Sequence, residues 1–244
     1  MKKKSSSNEY SLMEEYRKIT PKYVEVKNRP WRDFQQYLIN IGKQHSLPYE
    51  GVLVDIGTGN GRNLELLKDQ EWHFLASDLS IDLLRNLVDL PIQKLHILNN
   101  DMRRIPIREN AADLILCIAT AHHLENKKET IAVLRNISNI LKPKGYVILS
   151  FWRRWKPDTL KKMVFDIIAF PIKKILNNKW RHGDIFLPWF NKDKHVVANR
   201  YYHLFTKREL LGILEASNLE ICNITLAGGK SGKDNFFVLL QKNN

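Results

Sequence analysis

The stretch that most limits the fold begins at Val52. Val52-Leu53-Val54-Asp55-Ile56 is a near-continuous apolar run that stops at Gly57-Thr58-Gly59-Asn60-Gly61. Such a run reads as a strand buried on both faces, and glycines at alternate positions let the chain turn sharply and let its backbone approach a ligand. The residues after the turn, Asn60 to Lys68, are predicted to form a helix that presents free N–H groups at its start.

The same alternation continues downstream. Strands are predicted at 73–77, 95–98, 112–119 and 146–152. Helices are predicted at 80–88, capped by Ser80, and at 126–141, closed by Lys142-Pro143-Lys144-Gly145. Apolar strands alternating with helices mean a parallel α/β sheet covered on both faces. Outside this block the rhythm changes. Helices are expected over 9–19 and 31–46, broken around Pro21 and Pro30, and over 158–178, kinked at Pro171. Residues 179–205 read as aromatic, basic and irregular. Thr206-Lys207-Arg208-Glu209 is a capping box opening a helix to about Ser217. Strands at 220–226 and 236–240 flank the hairpin signal Gly228-Gly229-Lys230-Ser231-Gly232. The domain reading is a disordered basic tail at 1–8 and one domain over 9–244. That domain comprises a helical cap (9–50), a core (51–152), a basic insertion (153–205) and a C-terminal helix and hairpin (206–244).

Charge separates these parts. The 244 residues carry a net charge of +13, yet 51–150 is neutral, whereas 151–208 holds 14 basic and 4 acidic side chains, a net of +10. Clustered Lys and Arg point to a polyanion, because phosphate binding releases counterions. Two cysteines, Cys117 and Cys222, build neither a disulfide framework nor a Cys-based zinc site, and suggest a reducing, cytoplasmic setting. No apolar run is long enough to span a bilayer, and the basic start lacks the apolar part of a signal peptide, so no membrane partner is expected.

The glycine loop is G-x-G-x-G, not the G-x-G-x-x-G of a pyrophosphate site, and Asp55 stands two positions before its first glycine. An acid there suits a ligand with a positive amino group. Asp78 ends the second strand, where a carboxylate can accept hydrogen bonds from a ribose diol. Asp101 ends the third, placed to accept from an adenine amino group while Met102 packs on the ring. These features describe a cationic adenosine ligand, S-adenosyl-L-methionine.

The set resembles the class I S-adenosylmethionine-dependent methyltransferases over 51–152. The resemblance implies a Rossmann-like α/β fold: a seven-stranded, mostly parallel sheet with an antiparallel C-terminal hairpin, and a helical or irregular insertion after the fifth strand. Cofactor contacts are then expected from Asp55, Gly57, Gly59, Asn60, Gly61, Asp78, Leu79, Asp101, Met102 and Ile118.

Five further segments narrow the likeness. They are Lys27-Asn28-Arg29-Pro30-Trp31, Ile118 to Leu124 with its His122-His123 pair, Asp184-Ile185-Phe186-Leu187-Pro188-Trp189, Asn199-Arg200-Tyr201-Tyr202-His203-Leu204-Phe205, and Gly228-Gly229 with Lys233 to Val238. Together they resemble the tRNA wobble-uridine carboxymethyl methyltransferases, which esterify a carboxymethyl group on uridine 34. Thr58 stands where that family usually has Cys, and Lys27 where it commonly has Arg. Arg200, His203 and His122 are the candidate catalytic residues, the first two orienting the carboxylate and His122 facing the cleft. Lys27, Arg29, Trp31, Trp189, Tyr201 and Tyr202 are the candidate substrate-binding residues. The resemblance also implies a tRNA partner and a small zinc-binding activator subunit covering the edge strand 94–100, with Leu95 and Ile97 exposed. Two other readings are a methyltransferase of a small-molecule or lipid-like acceptor, and a non-catalytic RNA-binding module with this fold.

Overall fold

The computed structural model describes residues 7–155, 160–177 and 179–244. Seven strands form one sheet: β1 (Glu50–Ile56), β2 (Glu71–Asp78), β3 (Leu95–Asn99), β4 (Ala112–Cys117), β5 (Leu141–Trp152), β8 (Glu220–Ala227) and β9 (Asn235–Gln241). Their order is β3-β2-β1-β4-β5-β9-β8. The first five run parallel, and β9 pairs antiparallel with both β5 and β8. This is the expected sheet with its C-terminal hairpin at one edge and β3 at the other.

Strand alternation sorts the core to two sides. Val54, Ile56, Ile115, Cys117, Val147 and Leu149 pack with Val133, Leu134 and Ile137 of helix α4 (Lys127–Ile140) and with Leu210 and Ile213 of α6 (Lys207–Leu214). Leu53, Leu114, Leu116, Ile148 and Phe237 pack with Phe34, Tyr37 and Ile41 of α2 (Arg32–Gly42). Local signals set the helix starts. Ser80 accepts from the Leu83 N–H at the head of the short α3 (Ile81–Leu84), Asn126 from Glu129, and Thr206 from Glu209.

Several sequence expectations are corrected. No α-helix follows the glycine loop; only a 3-10 turn, Leu64–Leu66, forms. Gly61 at φ +74° unwinds the first turn, and Asn63 gives its side-chain carbonyl to the Trp31 N–H. Helix α1 runs from Ser7 to Val26 straight through Pro21. Tyr16 and Tyr23, on either side of the proline, pack on His123 and Trp189 and hold the helix where a hydrogen bond is missing. Ser7 and Asn8 are thus helical rather than tail, and residues 1–6 lie outside the described residues. Helix α2 stops at Gly42, four residues short of expectation. Helix α4 passes directly into β5, and Lys144, not Gly145, takes the left-handed conformation (φ +64°).

The largest correction concerns 179–205. This segment is an antiparallel hairpin, β6 (Asp184–Phe190) and β7 (Val196–His203), preceded by helix α5 (Leu160–Leu176). Pro188 sits within β6, in a two-stranded sheet where one edge of each strand is free. The expected start of the preceding helix at 158, and its end at 178, fall outside the described residues. No described helix is long and apolar enough to cross a membrane.

Candidate active site

A cleft opens at the C-terminal ends of β1, β2, β3 and β4, roofed by α1 and the β6–β7 hairpin. Such strand ends are where open α/β sheets bind ligands. Its floor is built from the glycine loop. Gly57 adopts φ +72°, and a Cβ there would lie 2.1 Å from the Thr120 side chain. Gly59 (φ +61°) faces open space, and its N–H donates to Asp78 Oδ2 at 2.8 Å. The Ser80 N–H donates to Asp78 Oδ1 at 2.8 Å. One carboxylate therefore ties the loop to the strand end and still offers lone pairs to the cleft. Burial pushes its pKa up, against those backbone donors.

Gly57, Gly59, Asp78, Leu79, Asp101, Met102 and Ile118 all line this cleft. Asp101 is held by Arg103 through its backbone N–H (2.9 Å) and its guanidinium (2.6 Å). An unshielded glycine backbone, a diol-competent acid and flanking apolar side chains fit an adenosine-bearing methyl donor. Three expected contacts stand behind the lining. Asp55 is 2% exposed, and burial raises its carboxyl to about pKa 7, with Thr58 alongside and the Asp78 charge adding to the rise. Asn60 donates to the Lys27 carbonyl at 2.9 Å, and Gly61 packs under Leu87 and Leu90. Ala119, which the sequence did not single out, lines the cleft at φ +55° with its N–H held by Ser150 Oγ at 2.8 Å.

The opposite wall comes from distant parts of the chain. Tyr16, Tyr23, His123, Asn199 and Tyr201 line it. His123 Nδ1 lies 2.8 Å from the Tyr201 carbonyl, which can only accept, so Nδ1 carries the proton. Nε2 then accepts from the Tyr16 hydroxyl at 3.1 Å. Burial drives His123 down to about pKa 4, so it is neutral at pH 7 with both nitrogens engaged. Burial also lifts Tyr16 well above the ordinary phenol range and Tyr23 to about 12. Tyr201 donates to Asp184 at 2.8 Å.

Arg200 packs its guanidinium against three rings: Trp189 at 5.1 Å, Tyr202 at 5.3 Å and Tyr16 at 5.6 Å. Its Nε is buried without a hydrogen-bond partner, and among the described residues no carboxylate pairs with it. Lys27 and Arg62 belong to the same positive field: burial first, then the charges of Arg62 and Arg200, lower the Lys27 pKa. Arg62 lines the cleft. It follows the third glycine directly, a signal present in the sequence but not used.

Other candidates are placed away from the cleft. His203 is fully buried between Asp184 (Nδ1, 2.6 Å) and Glu209 (Nε2, 2.9 Å), which joins the hairpin to α6. Burial alone would raise Glu209, but the bond to His203 and the nearby Arg154 hold it below its ordinary value. His122, expected to face the cleft, lies behind His123 among Trp152 and Tyr202; the backbone turn at Ala121–His123 sends the second histidine forward instead. Tyr202 is buried and stacks on Trp152 at 4.6 Å. Trp31 packs on Phe237, and its Nε1–H donates to Asp33, which also accepts from the Gly229 N–H. That bridge explains why the Trp31 and Gly228-Gly229 segments occur together: they clamp α2 to the β8–β9 turn. Arg29 is exposed.

Comparison with known proteins agrees with this geometry. Residues 54–149 match the family model described as a methyltransferase domain. The chain is 24% identical to the tRNA (carboxymethyluridine(34)-5-O)-methyltransferase of Schizosaccharomyces pombe over 97% of each chain. It is 27% identical to the Arabidopsis thaliana protein of the same name over 59% of this chain, but spans only 33% of that relative. Among solved structures, a chain from the complex of the Haloferax volcanii Trm112 methyltransferase activator with a candidate methyltransferase superposes with a TM-score of 0.64 at 13% identity. That match covers 96% of this chain and 98% of the other.

Proposed function

We propose that this chain, a class I S-adenosylmethionine-dependent methyltransferase, esterifies the carboxymethyl group of wobble uridine 34 in tRNA. The observation that carries the reading is Arg200, an aromatic-caged cation with no acidic partner among the described residues, together with Lys27 and Arg62. Three cations beside a methyl-donor cleft suit an anionic acceptor. Guanidinium groups suit a carboxylate in particular, because their planar fork matches its two oxygens.

The chemistry asks little acid–base work of the protein. A carboxylate with a pKa near 4 is already ionised at about pH 7. The cofactor supplies an electrophilic methyl on a sulfonium. Asp78 and the glycine loop fix the donor's place, and Arg62 and Arg200 fix the carboxylate's, so alignment is the main contribution. No proton moves. Neutral His123, engaged at both nitrogens, and the high phenol pKa values of Tyr16 and Tyr23 accord with a wall that shapes the site without titrating. Tyr201, which lines the cleft, supplies ring surface for an unstacked base.

The edge strand β3 supports the expected activator subunit. It pairs only with β2, Ile97 is 40% exposed, and Leu95 is half-buried. A tRNA substrate and such a subunit imply a cytoplasmic protein. Mass spectrometry of tRNA nucleosides from a deletion strain tests the reading: 5-methoxycarbonylmethyluridine is expected to disappear while its carboxymethyl precursor accumulates. Unchanged ester levels would sink it.

A further inference from the structure

Helix α5 is built with its polarity inverted. The side turned to the protein carries Met163, Asp166, Phe170 and Lys173. Asp166 is 2% exposed and accepts from Lys173 Nζ (2.8 Å), Trp180 Nε1 (3.3 Å) and the Gly183 N–H (3.3 Å). Phe170 stacks on His182. Burial would raise the Asp166 carboxyl, but these donors hold it below its ordinary value. The side turned to solvent carries Val164, Phe165, Ile167, Ile168, Ile172 and Ile175, of which Ile168 is 73% and Ile175 83% exposed. At 100° per residue these side chains form one continuous apolar face about half the helix circumference wide. Leaving such a face in water is unfavourable, because each large apolar side chain gains by leaving it. A contiguous patch of this kind marks a docking surface.

The surroundings identify what docks. Between residues 159 and 183 the only acid in the sequence is Asp166, already committed to the interior. Lys161 and Lys179 are exposed near the two ends of the helix, and Trp155 and Trp180 lie just beyond them. A second copy of this chain would bring two segments of like charge together. Nucleic acid would meet the lysines but leave the apolar face uncovered. An amphipathic helix with Lys and Trp near both of its ends matches the boundary between acyl chains and anionic headgroups. At 17 residues, with an internal Asp and Pro, α5 is too short and too interrupted to span.

We propose that α5 docks the protein in the plane of an anionic lipid surface, with its apolar face among the acyl chains. Docking also has a consequence for the site. Trp180 stands 6.1 Å from Phe186, a residue of the cleft wall, so docking through α5 would bring the lipid surface near the cleft.

The test is sedimentation of the full-length chain with vesicles of phosphatidylcholine alone and of phosphatidylcholine with about one-third phosphatidylglycerol. Binding is expected to the mixed vesicles only and to weaken with salt. The Ile168→Glu/Ile172→Glu variant should lose binding about tenfold or more, with cofactor affinity by calorimetry unchanged, which shows that it is folded. Lys161→Gln/Lys179→Gln should weaken binding at low salt and less at high salt. No binding to mixed vesicles would overturn the proposal. So would a wild-type dimer in ultracentrifugation that the double-Glu variant abolishes, or a loss of tRNA affinity in that variant with vesicle binding intact.

Discussion

The two walls of the cleft are made in different ways. The donor-side wall comes from successive strand ends, β1 to β4, and its key groups are backbone: the Gly59 N–H, the Ser80 N–H and one carboxylate that binds both. The acceptor-side wall is assembled from α1, the residue after the glycine loop, the turn after β4 and the β6–β7 hairpin. Its groups are side chains: Arg62, Tyr16, His123 and Tyr201 in the lining, with Arg200 packed on the Tyr16 ring. Backbone geometry repeats wherever the fold repeats, so one wall is generic to a methyl donor. The other depends on which side chains the hairpin presents, and we propose that selectivity resides there.

Perturbing each wall should therefore give separable effects. The largest is structural. His203→Ala leaves Asp184 and Glu209 facing each other without the imidazole between them, and should cost about 3–5 kcal/mol in denaturant unfolding. Turnover per folded molecule should stay at the wild-type value; loss of turnover without loss of stability would put His203 in the chemistry. Next, Arg200→Ala should lower kcat/KM on carboxymethyl-tRNA by about 10²–10³ with cofactor affinity intact. Arg200→Lys should restore only part, because an ammonium lacks the planar fork. If calorimetry instead shows weakened cofactor binding, the division between the walls is wrong. Asp78→Ala should do the reverse: cofactor binding weakened by about 1.5–3 kcal/mol, tRNA affinity unchanged.

The smallest effect concerns Asp55. Its folded pKa is raised from 3.8 to about 7, so the folded state holds that proton more tightly than the unfolded chain does. The group's favourable contribution is complete below the unfolded value and is lost as pH rises from there through 7. Asp55→Asn should therefore raise the melting temperature by a few degrees at pH 8 and leave it almost unchanged at pH 4. Equal shifts at both pH values would contradict the assigned titration.

The same contrast explains what the sequence disclosed. Asp55, the glycines and Asp78 lie within 24 positions in a strand–turn–strand pattern, and local periodicity reveals them. The helix expected after the loop failed because three left-handed glycines and Asn63 direct the chain elsewhere. The β6–β7 hairpin was missed since its strands carry aromatic and basic side chains on both faces, with Pro188 in one of them, so no apolar alternation marks them. The acceptor wall joins Tyr16, Arg62 and His123, with Arg200 packed against Tyr16, and only tertiary packing brings them together. Choosing between His122 and His123 required the direction of one short turn. The +10 of residues 151–208 also proved divided: Arg154, Lys173 and Arg181 pair internally with Glu209, Asp166 and Asp184. Asp166 and Asp184 are already subtracted in that net charge, so only the Arg154–Glu209 pair lowers it.

The acceptor wall is proposed to recognise a carboxylate. The decisive test is competition binding of the protein loaded with S-adenosylhomocysteine, which has no methyl to transfer, with two tRNAs that differ only at uridine 34, one carrying carboxymethyl and the other the neutral carbamoylmethyl group. A preference for the carboxylate of about tenfold or more is predicted for the wild type, removed by Arg200→Ala. Equal affinity for the two tRNAs, or a preference that survives the loss of Arg200, would contradict it.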